Sequence, residues 1–297
     1  MKIGVIGLGD IFERQYLPSY IELQKHHDVS FVLSSRDLEK AGKFARKLAH
    51  SKACLGLDGL LAEDVDVCFV HTATSTHFEI VKALIENGID VFVDKPLTEN
   101  ADEVDFLQQL AWKNGVKLFI GFNRRYAPYG AFARDAVRAS EFYKNRVNTL
   151  QPFEFAIYDL FIHVIDTAVF WNKDKHFKKV RIDKIELDSE RNIENIEVVL
   201  EFSGGVNAIC KMNMTSGNND EVFMIDGLVV RDMVRLRTGA HEEIELKTPG
   251  DYVDRGFLKM VFEAYSLFAN EHAEYLLSDI DLLSHQICDN IIEEASL

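Results

Sequence analysis

Five short apolar runs in the first 120 residues constrain the fold more than any other feature. They cover residues 3–6, 29–33, 65–70, 89–93 and 116–120. Apolar runs without strict alternation suit strands covered on both faces. Amphipathic stretches at 12–24, 38–49, 76–87 and 101–114 separate them, and Asn87-Gly88 and Asn114-Gly115 follow the last periodic residues of two of these. Asn-Gly at that point is a helix stop signal. Strand alternating with helix predicts an α/β, doubly wound parallel sheet.

Beyond about residue 122 the pattern changes. A long apolar helix is expected over 153–171, followed by strands at 180–187, 196–202, 206–214, 222–225 and 229–236. In the third of these, Val206, Ala208, Cys210, Met212 and Met214 share one face. Asn207, Lys211 and Asn213 lie on the other, with Ile209 between them. This alternation predicts an α+β domain with an open-faced, largely antiparallel sheet. Helices at 257–269 and 274–294 close the chain. A length of 297 residues suits two domains, expected at 1–121 and 122–297, with the C-terminal helix able to pack back on the first. The open sheet face leaves apolar surface for a homodimer or homotetramer.

Charge and cysteine usage narrow the function classes. Lys and Arg number 33 against 48 Asp and Glu, a formal charge of −15. That balance argues against a general nucleic-acid binder, which needs a basic surface to displace counterions. Cys54, Cys68, Cys210 and Cys288 form no CxxC and read as buried, reduced thiols, so neither a disulfide framework nor a metal site is expected. No apolar stretch approaches the roughly 20 residues that span a bilayer. The opening MKIGVIGLGD reads as a strand and turn instead of a signal peptide. These features lead to the expectation of a cytoplasmic protein without a membrane partner.

The first strand runs into Gly7-Leu8-Gly9-Asp10-Ile11-Phe12 and then a helix. Gly7 permits the tight turn, and Gly9 lets a pyrophosphate approach backbone N–H groups at the helix N-terminus. Phe12 occupies the place of a third glycine, where it keeps helix and strand apart. The second strand ends Leu33-Ser34-Ser35-Arg36 in place of the acidic residue that binds ribose hydroxyls in NAD sites. Two hydroxyls and a guanidinium suit a 2′-phosphate, which favours NADP over NAD. Pairing of Arg36 with Asp37 or Glu39 is the alternative.

Two other segments can carry chemistry. The fifth run ends Asp94-Lys95-Pro96, and proline keeps Lys95 extended at the carboxyl end of the strand, the edge where open α/β sheets bind ligands. A lysine partly desolvated there beside a cationic ring can act in proton transfer. The apolar helix over 153–171 is interrupted by Asp159, His163 and Asp166, which share one face within an arc of roughly 60°. Buried charge is costly unless paired or used, so the stripe is expected to face a cleft. A carboxylate one turn before a histidine can fix its tautomer and raise its basicity.

Gly7-x-Gly9, Asp94-Lys95-Pro96 and Asp159-x-x-x-His163-x-x-Asp166, in this order, resemble the glucose–fructose oxidoreductase / inositol dehydrogenase / MocA (Gfo/Idh/MocA) family, most closely its MviM-like branch. Val70-His71-Thr72-Ala73-Thr74-Ser75-Thr76-His77 resembles the family's nicotinamide-side loop, often with proline at Ala73. Gly121-Phe122-Asn123-Arg124-Arg125-Tyr126-Ala127-Pro128 resembles its crossing into the second domain. The resemblance implies a Rossmann domain followed by an open-faced α/β domain, with catalysis at their junction. It implies Lys95 and His163 as the catalytic pair, with Asp159 in support, and these three near the substrate. It also implies cofactor contacts from Gly7, Gly9, Asp10, Ile11, Ser34, Ser35, Arg36, Thr72, Ser75, His77, Lys95, Pro96 and Asn123. Three positions depart from the pattern: Asp94 for the usual glutamate, Phe161 for a glycine, and Phe12 for a small residue.

The expected activity is therefore that of an NAD(P)-dependent oxidoreductase passing hydride between nicotinamide and a sugar, polyol or related carbonyl or carbinol compound. Arg124, Arg125, Lys144 and Arg146 cluster near the crossing of an acidic chain and are expected to bind an anionic or phosphorylated sugar group. Salt bridges to the plentiful carboxylates are the alternative employment for them. A cofactor-sensing regulatory protein without turnover, and a redox-neutral enzyme that uses NAD transiently to cleave glycosidic bonds, are the rival readings of the same fold.

Overall fold

The computed structural model describes residues 1–133, 139–145, 150–238, 243–270 and 279–295. The chain forms two compact units, Met1–Asn123 with Gly250–Leu277, and Arg124–Pro249 with Ser278–Leu297. The second unit thus takes up less than the whole of 122–297. The late helix that joins the first unit is Phe257–Ala269, whereas the last helix, Asp279–Ala295, belongs to the second.

The first unit holds six parallel strands: β1 (Lys2–Ile6), β2 (Ser30–Ser35), β3 (Ser51–Leu55), β4 (Val67–Val70), β5 (Asp90–Asp94) and β6 (Leu118–Gly121). Their order is β3-β2-β1-β4-β5-β6, the doubly wound order with its switch point between β1 and β4. Val5 pairs with Leu33 on one side and Phe69 on the other, and all three are fully buried. Phe69, Phe92 and Phe119 are in register across β4, β5 and β6. Their rings stack at 4.7 and 5.4 Å between centroids, and Phe92 leaves no room for a side chain at Gly121. The sequence pattern does not reveal β3. It is an edge strand with one neighbour, so Ser51 and Lys52 are tolerated and no apolar run marks it.

The helix after the first turn begins as a π-helical turn, Phe12–Tyr16, and continues as the α-helix Leu17–His26. The wider turn accommodates Phe12, which is fully buried and meets Phe44 edge-on at 5.2 Å. The expected conflict between helix and strand is thus absorbed locally. Helix Phe257–Ala269 covers this region too, with Phe257 edge-on to Tyr16 and Tyr265 against His27.

The second unit is built on an eight-stranded sheet. Its strands are β7 (Ala139–Asn145), β8 (Phe177–Leu187), β9 (Ile193–Phe202), β10 (Asn207–Asn213), β11 (Asp220–Ile225), β12 (Leu228–Arg231), β13 (Arg235–Thr238) and β14 (Ile244–Glu245). The order is β14-β13-β12-β11-β7-β10-β9-β8, antiparallel throughout except for the parallel pair β7 and β10. Ala208, Cys210 and Met212 are fully buried and Lys211 is not, as the alternation predicts. The single strand expected over 229–236 is instead a hairpin. Asp232 and Met233 adopt left-handed φ values of 49° and 65° and turn the chain between β12 and β13. Strand β7 also escapes the sequence pattern, because one of its residues, Lys144, is a cation buried against Glu221.

The long apolar helix comprises Phe153–Ala156, a π-helical turn Ile157–Phe161, and the α-helix Ile162–Trp171. Every residue from Ile162 to Val169 is buried, because the sheet and helix Asp279–Ala295 both pack against it. No helix among the described residues is long and apolar enough to cross a membrane. Removing the ring that fills the first π-turn tests this account of the core. Phe12→Ala should cost about 3–5 kcal/mol, read as a lowered urea midpoint with an unchanged slope.

Candidate functional site

The carboxyl ends of β1, β2, β3 and β4 surround a cavity of ≈ 470 Å³ in the first unit. Gly7 and Gly9 follow β1, Ser35 and Arg36 end β2, Gly56 and Leu57 follow β3, and His71 and Thr72 follow β4. Gly7 has φ +98°, and a Cβ there would overlap the backbone of His71 and Thr72. Nothing lies within 4 Å of where a Cβ on Gly9 would stand. One glycine is thus required by the protein itself, and the other leaves open space at a helix start, as a bound pyrophosphate requires. These residues fit a dinucleotide.

At the end of β2 the two serines have different employments. Ser34 is buried and donates its hydroxyl to the Gly56 carbonyl at 2.7 Å, so it belongs to the wall and not to the lining. Ser35 lines the cavity and accepts from the Asp37 N–H at 3.1 Å. Asp37 caps helix Leu38–Ala45, accepting from the Glu39 and Lys40 N–H groups at 2.9 and 3.1 Å, so its carboxylate serves the helix start. Arg36 lines the cavity, and so does Lys40, which the sequence reading missed. Its signal was present: it stands one helical turn beyond Arg36. No carboxylate lines the cavity among the described residues.

Other expected cofactor contacts lie elsewhere. Asp10 is exposed and pairs with Arg14 at 3.3 Å, and Ile11 is exposed. Ser75 is exposed outside this cavity, near Glu79 and Glu103. His77 is buried, with Nδ1 3.0 Å from the Pro96 carbonyl and Nε2 3.0 Å from the Thr72 carbonyl. Burial holds it below the ordinary histidine range, against the opposing pull of Asp94 and these carbonyls. It ties the loop after β4 to the loop after β5. Asn123 is buried and donates to the Arg255 carbonyl at 2.7 Å.

Asp94, the shorter carboxylate before Lys95, is gripped from below. Tyr16 donates to Oδ1, and His71 Nδ1 lies 3.1 Å from Oδ2. Tyr20 Oη is 2.7 Å from His71 Nε2, and Tyr16 stacks on the His71 ring at 3.7 Å. Burial first, and Asp94 second, push both phenols well above their usual range. Both remain O–H donors, so Tyr20 donates to Nε2 and Nδ1–H donates to Asp94. The sequence reading missed this chain of contacts. It fixes the end of β5, where half-buried Lys95 and buried Pro96 begin the next loop.

In the second unit the structure redirects the expected cations. Arg125, largely shielded from solvent, lies between two carboxylates, with Nε 3.0 Å from Asp166 Oδ2, Nη2 on Asp166 Oδ1, and Nη1 2.7 Å from Asp281 Oδ1. Burial alone would lower its basicity, and the paired carboxylates outweigh burial and hold it charged. Ser284 also donates to Asp166 at 3.1 Å. Asp166 therefore holds helices together and leaves the proposed stripe. Arg124 and Lys144 are buried and converge on Glu221, at 2.5 and 2.8 Å from its Oε1. Burial alone would raise the Glu221 carboxyl, and the two cations hold it well below its usual range. The salt-bridge alternative thus describes the contacts of these three cations: Arg124 and Lys144 share the single carboxylate Glu221, and Arg125 lies between Asp166 and Asp281. Arg146 lies outside the described residues.

His163 is buried and its Nδ1 stands 2.9 Å from Arg124 Nη1. A guanidinium thus stands at this nitrogen. Asp159 is half-buried in the π-helical turn one step earlier. The structure therefore brings Gly7, Gly9, Ser35, Arg36 and Thr72 together in one unit, and Arg124, Lys144 and His163 in the other.

Two substitution pairs separate structure from binding. Gly7→Ala should destabilise the fold itself, whereas Gly9→Ala should leave the melting temperature nearly unchanged and weaken dinucleotide binding in titration calorimetry. Arg125→Met strands two buried carboxylates and should cost about 3–5 kcal/mol, while Arg125→Lys should recover part of it, both read by chemical denaturation.

Comparison with known proteins agrees with this arrangement. Residues 1–122 match the GFO_IDH_MocA model, described as an oxidoreductase family with an NAD-binding Rossmann fold. YceM of Salmonella typhimurium is 31% identical over 57% of this chain and 56% of its own length. The chain thus matches little more than half of that relative. A myo-inositol 2-dehydrogenase of Thermotoga maritima is 28% identical over 80% of this chain and 77% of that protein. A crystal structure of a Gfo/Idh/MocA family oxidoreductase from Vibrio cholerae superimposes with a TM-score of 0.85 at 26% identity, covering 100% of both chains. With their strand order and glycine turn, residues 1–122 thus match the NAD-binding Rossmann domain of the Gfo/Idh/MocA oxidoreductase family, and the whole chain is similar in fold to the Vibrio cholerae member.

Proposed function

We propose that this protein is an NADP-preferring oxidoreductase acting on a hydroxyl-bearing carbon of a sugar or polyol, or on the corresponding carbonyl. The cavity at the four strand ends carries the reading. It joins open backbone at Gly9 to two cations, Arg36 and Lys40, with no carboxylate in the described lining. A ribose 2′-hydroxyl is held by an acidic residue at this position, and a 2′-phosphate by cations. Ser35 and the two cations would hold that phosphate, the turn at Gly9 the pyrophosphate, and Leu57 and Ile80 offer apolar walls. The nicotinamide, when bound, supplies or takes up the hydride.

The chain's own residues handle the proton and the substrate. The Tyr20–His71–Asp94–Tyr16 contacts hold the end of β5, so Lys95 leaves a fixed strand and not a loose loop. Lys95 and His163 are the proposed catalytic pair, with Asp159 in support. With Arg124, Arg125 and Lys144 each paired with an internal carboxylate, a neutral sugar or polyol is the proposed substrate class, and the myo-inositol 2-dehydrogenase likeness supports it. The partly covered sheet face, with Asn207, Ile209 and Lys211 on one side, supports a homo-oligomer, and a cytoplasmic location completes the proposal.

Steady-state kinetics test it. The Michaelis constant should be lower for NADPH than for NADH. Replacing Arg36 and Lys40 together by alanine should raise the NADPH value by about 10–100-fold, the equivalent of lost charge-assisted hydrogen bonds, with little effect on NADH. A clear NADH preference would sink the NADP assignment. Lys95→Ala and His163→Ala should each abolish turnover while dinucleotide binding survives, and turnover retained in both would exclude the pair.

A further inference from the structure

The contacts around His163 decide more than its position. Arg124 places Nε 2.8 Å from Glu221 Oε2 and Nη2 2.5 Å from Oε1, which leaves Nη1 2.9 Å from His163 Nδ1. A guanidinium has N–H donors, no acceptor, and does not lose its proton in proteins. Nδ1 must therefore accept with its lone pair, and the ring proton resides on Nε2. Arg124 cannot turn aside, because it is buried and its fork is fixed by Glu221, which Lys144 also grips at 2.8 Å.

Charge points the same way. An imidazolium would set its Nδ1–H against the Arg124 N–H and place a second cation beside the guanidinium. The carboxylates on the ring's own helix are Asp159 and Asp166, and Asp166 is committed to Arg125. Asp281, on the helix packed beside it, is likewise paired with Arg125.

We propose, resting on the oxidoreductase reading, that Arg124 is a positioning residue that locks His163 as the neutral Nε2–H tautomer. The imidazole then donates a hydrogen bond to the substrate oxygen and is not the base. The proton belongs to Lys95. In the oxidative direction the substrate O–H bond breaks and its proton passes to the neutral Lys95 amine, giving an ammonium. The carbonyl would form as the C–H electron pair leaves as hydride, for which the oxidised nicotinamide of the proposed cofactor would be the acceptor, and His163 keeps its Nε2 proton throughout. In the reductive direction the Lys95 ammonium returns the proton to the oxygen. A neutral imidazole polarising a carbonyl is established chemistry in other enzymes.

Nitrogen-15 spectra of the full-length protein labelled at histidine test the assignment, with His163→Gln identifying the signal. Between about pH 5 and pH 8, where an ordinary histidine titrates, His163 should keep a bare Nδ1 and a protonated Nε2. An Nδ1–H form or an imidazolium in that range would overturn the proposal. In Arg124→Met the ring should titrate and kcat should fall by about 100-fold. Arg124→Gln, whose amide still donates to Nδ1, should restore the tautomer and most of kcat. Unchanged kcat in an Arg124→Met protein whose ring titrates would also overturn it. Should Arg124→Met fail to fold, the wild-type and Arg124→Gln spectra decide alone. A locked tautomer in a protein that oxidises or reduces no sugar or polyol would sink the oxidoreductase reading and leave the role of Arg124 on the ring standing.

Discussion

The first unit depends on one close approach. At Gly7 the chain leaves β1 in a conformation that side chains rarely adopt, hard against the backbone that leaves β4. No other residue type fits there without separating the two strand ends. Because β1 and β4 flank the switch point of the sheet, this contact sets the floor of the cavity and fixes how near Arg36, Leu57 and Thr72 stand to the glycine turn. Gly9, two residues on, has the opposite character: its freedom serves a ligand. The pair shows how two glycines in one short motif answer to different demands.

Below the strand ends, both units bury charge, and in each the charge is answered on the spot. Asp94 is met by two tyrosines and a histidine acting through one another. Glu221 is met by two cations, and Arg125 by two carboxylates. Such groups add little net stability over an apolar core, and their loss one at a time is expensive. What they contribute is direction: a strand end that does not wander, and an imidazole with one nitrogen already engaged.

Legibility in the sequence followed packing. The five runs covered on both faces were apolar enough to be seen, and so was the alternating β10. The edge strand β3 and the ion-paired β7 were not, because a strand that spends Lys52 on Glu63 or Lys144 on Glu221 carries no hydrophobic signature. Within the site, residues fixed by local backbone chemistry, such as Gly7, Gly9 and the Lys95-Pro96 step, could be read from short motifs. Residues whose partners lie far along the chain could not. Arg124 and Glu221 are 97 positions apart, so salt bridges could be weighed for the cations near the crossing but their partners could not be named from spacing. In the helical stripe, Asp166 likewise turns to a partner outside its own helix, Arg125.

The return of Gly250–Leu277 to the first unit has an architectural outcome. Phe257 closes over Tyr16 and Tyr265 over His27, so the nucleotide-holding half is completed by chain synthesised after most of the other half. A ribosome releasing the first 123 residues releases an unfinished core, whose missing lid arrives some 130 positions later. Neither half is a severable module. Gene fusions or exchanges that treat residue 123 as a joint would separate the aromatic lid from the surface it was made to cover.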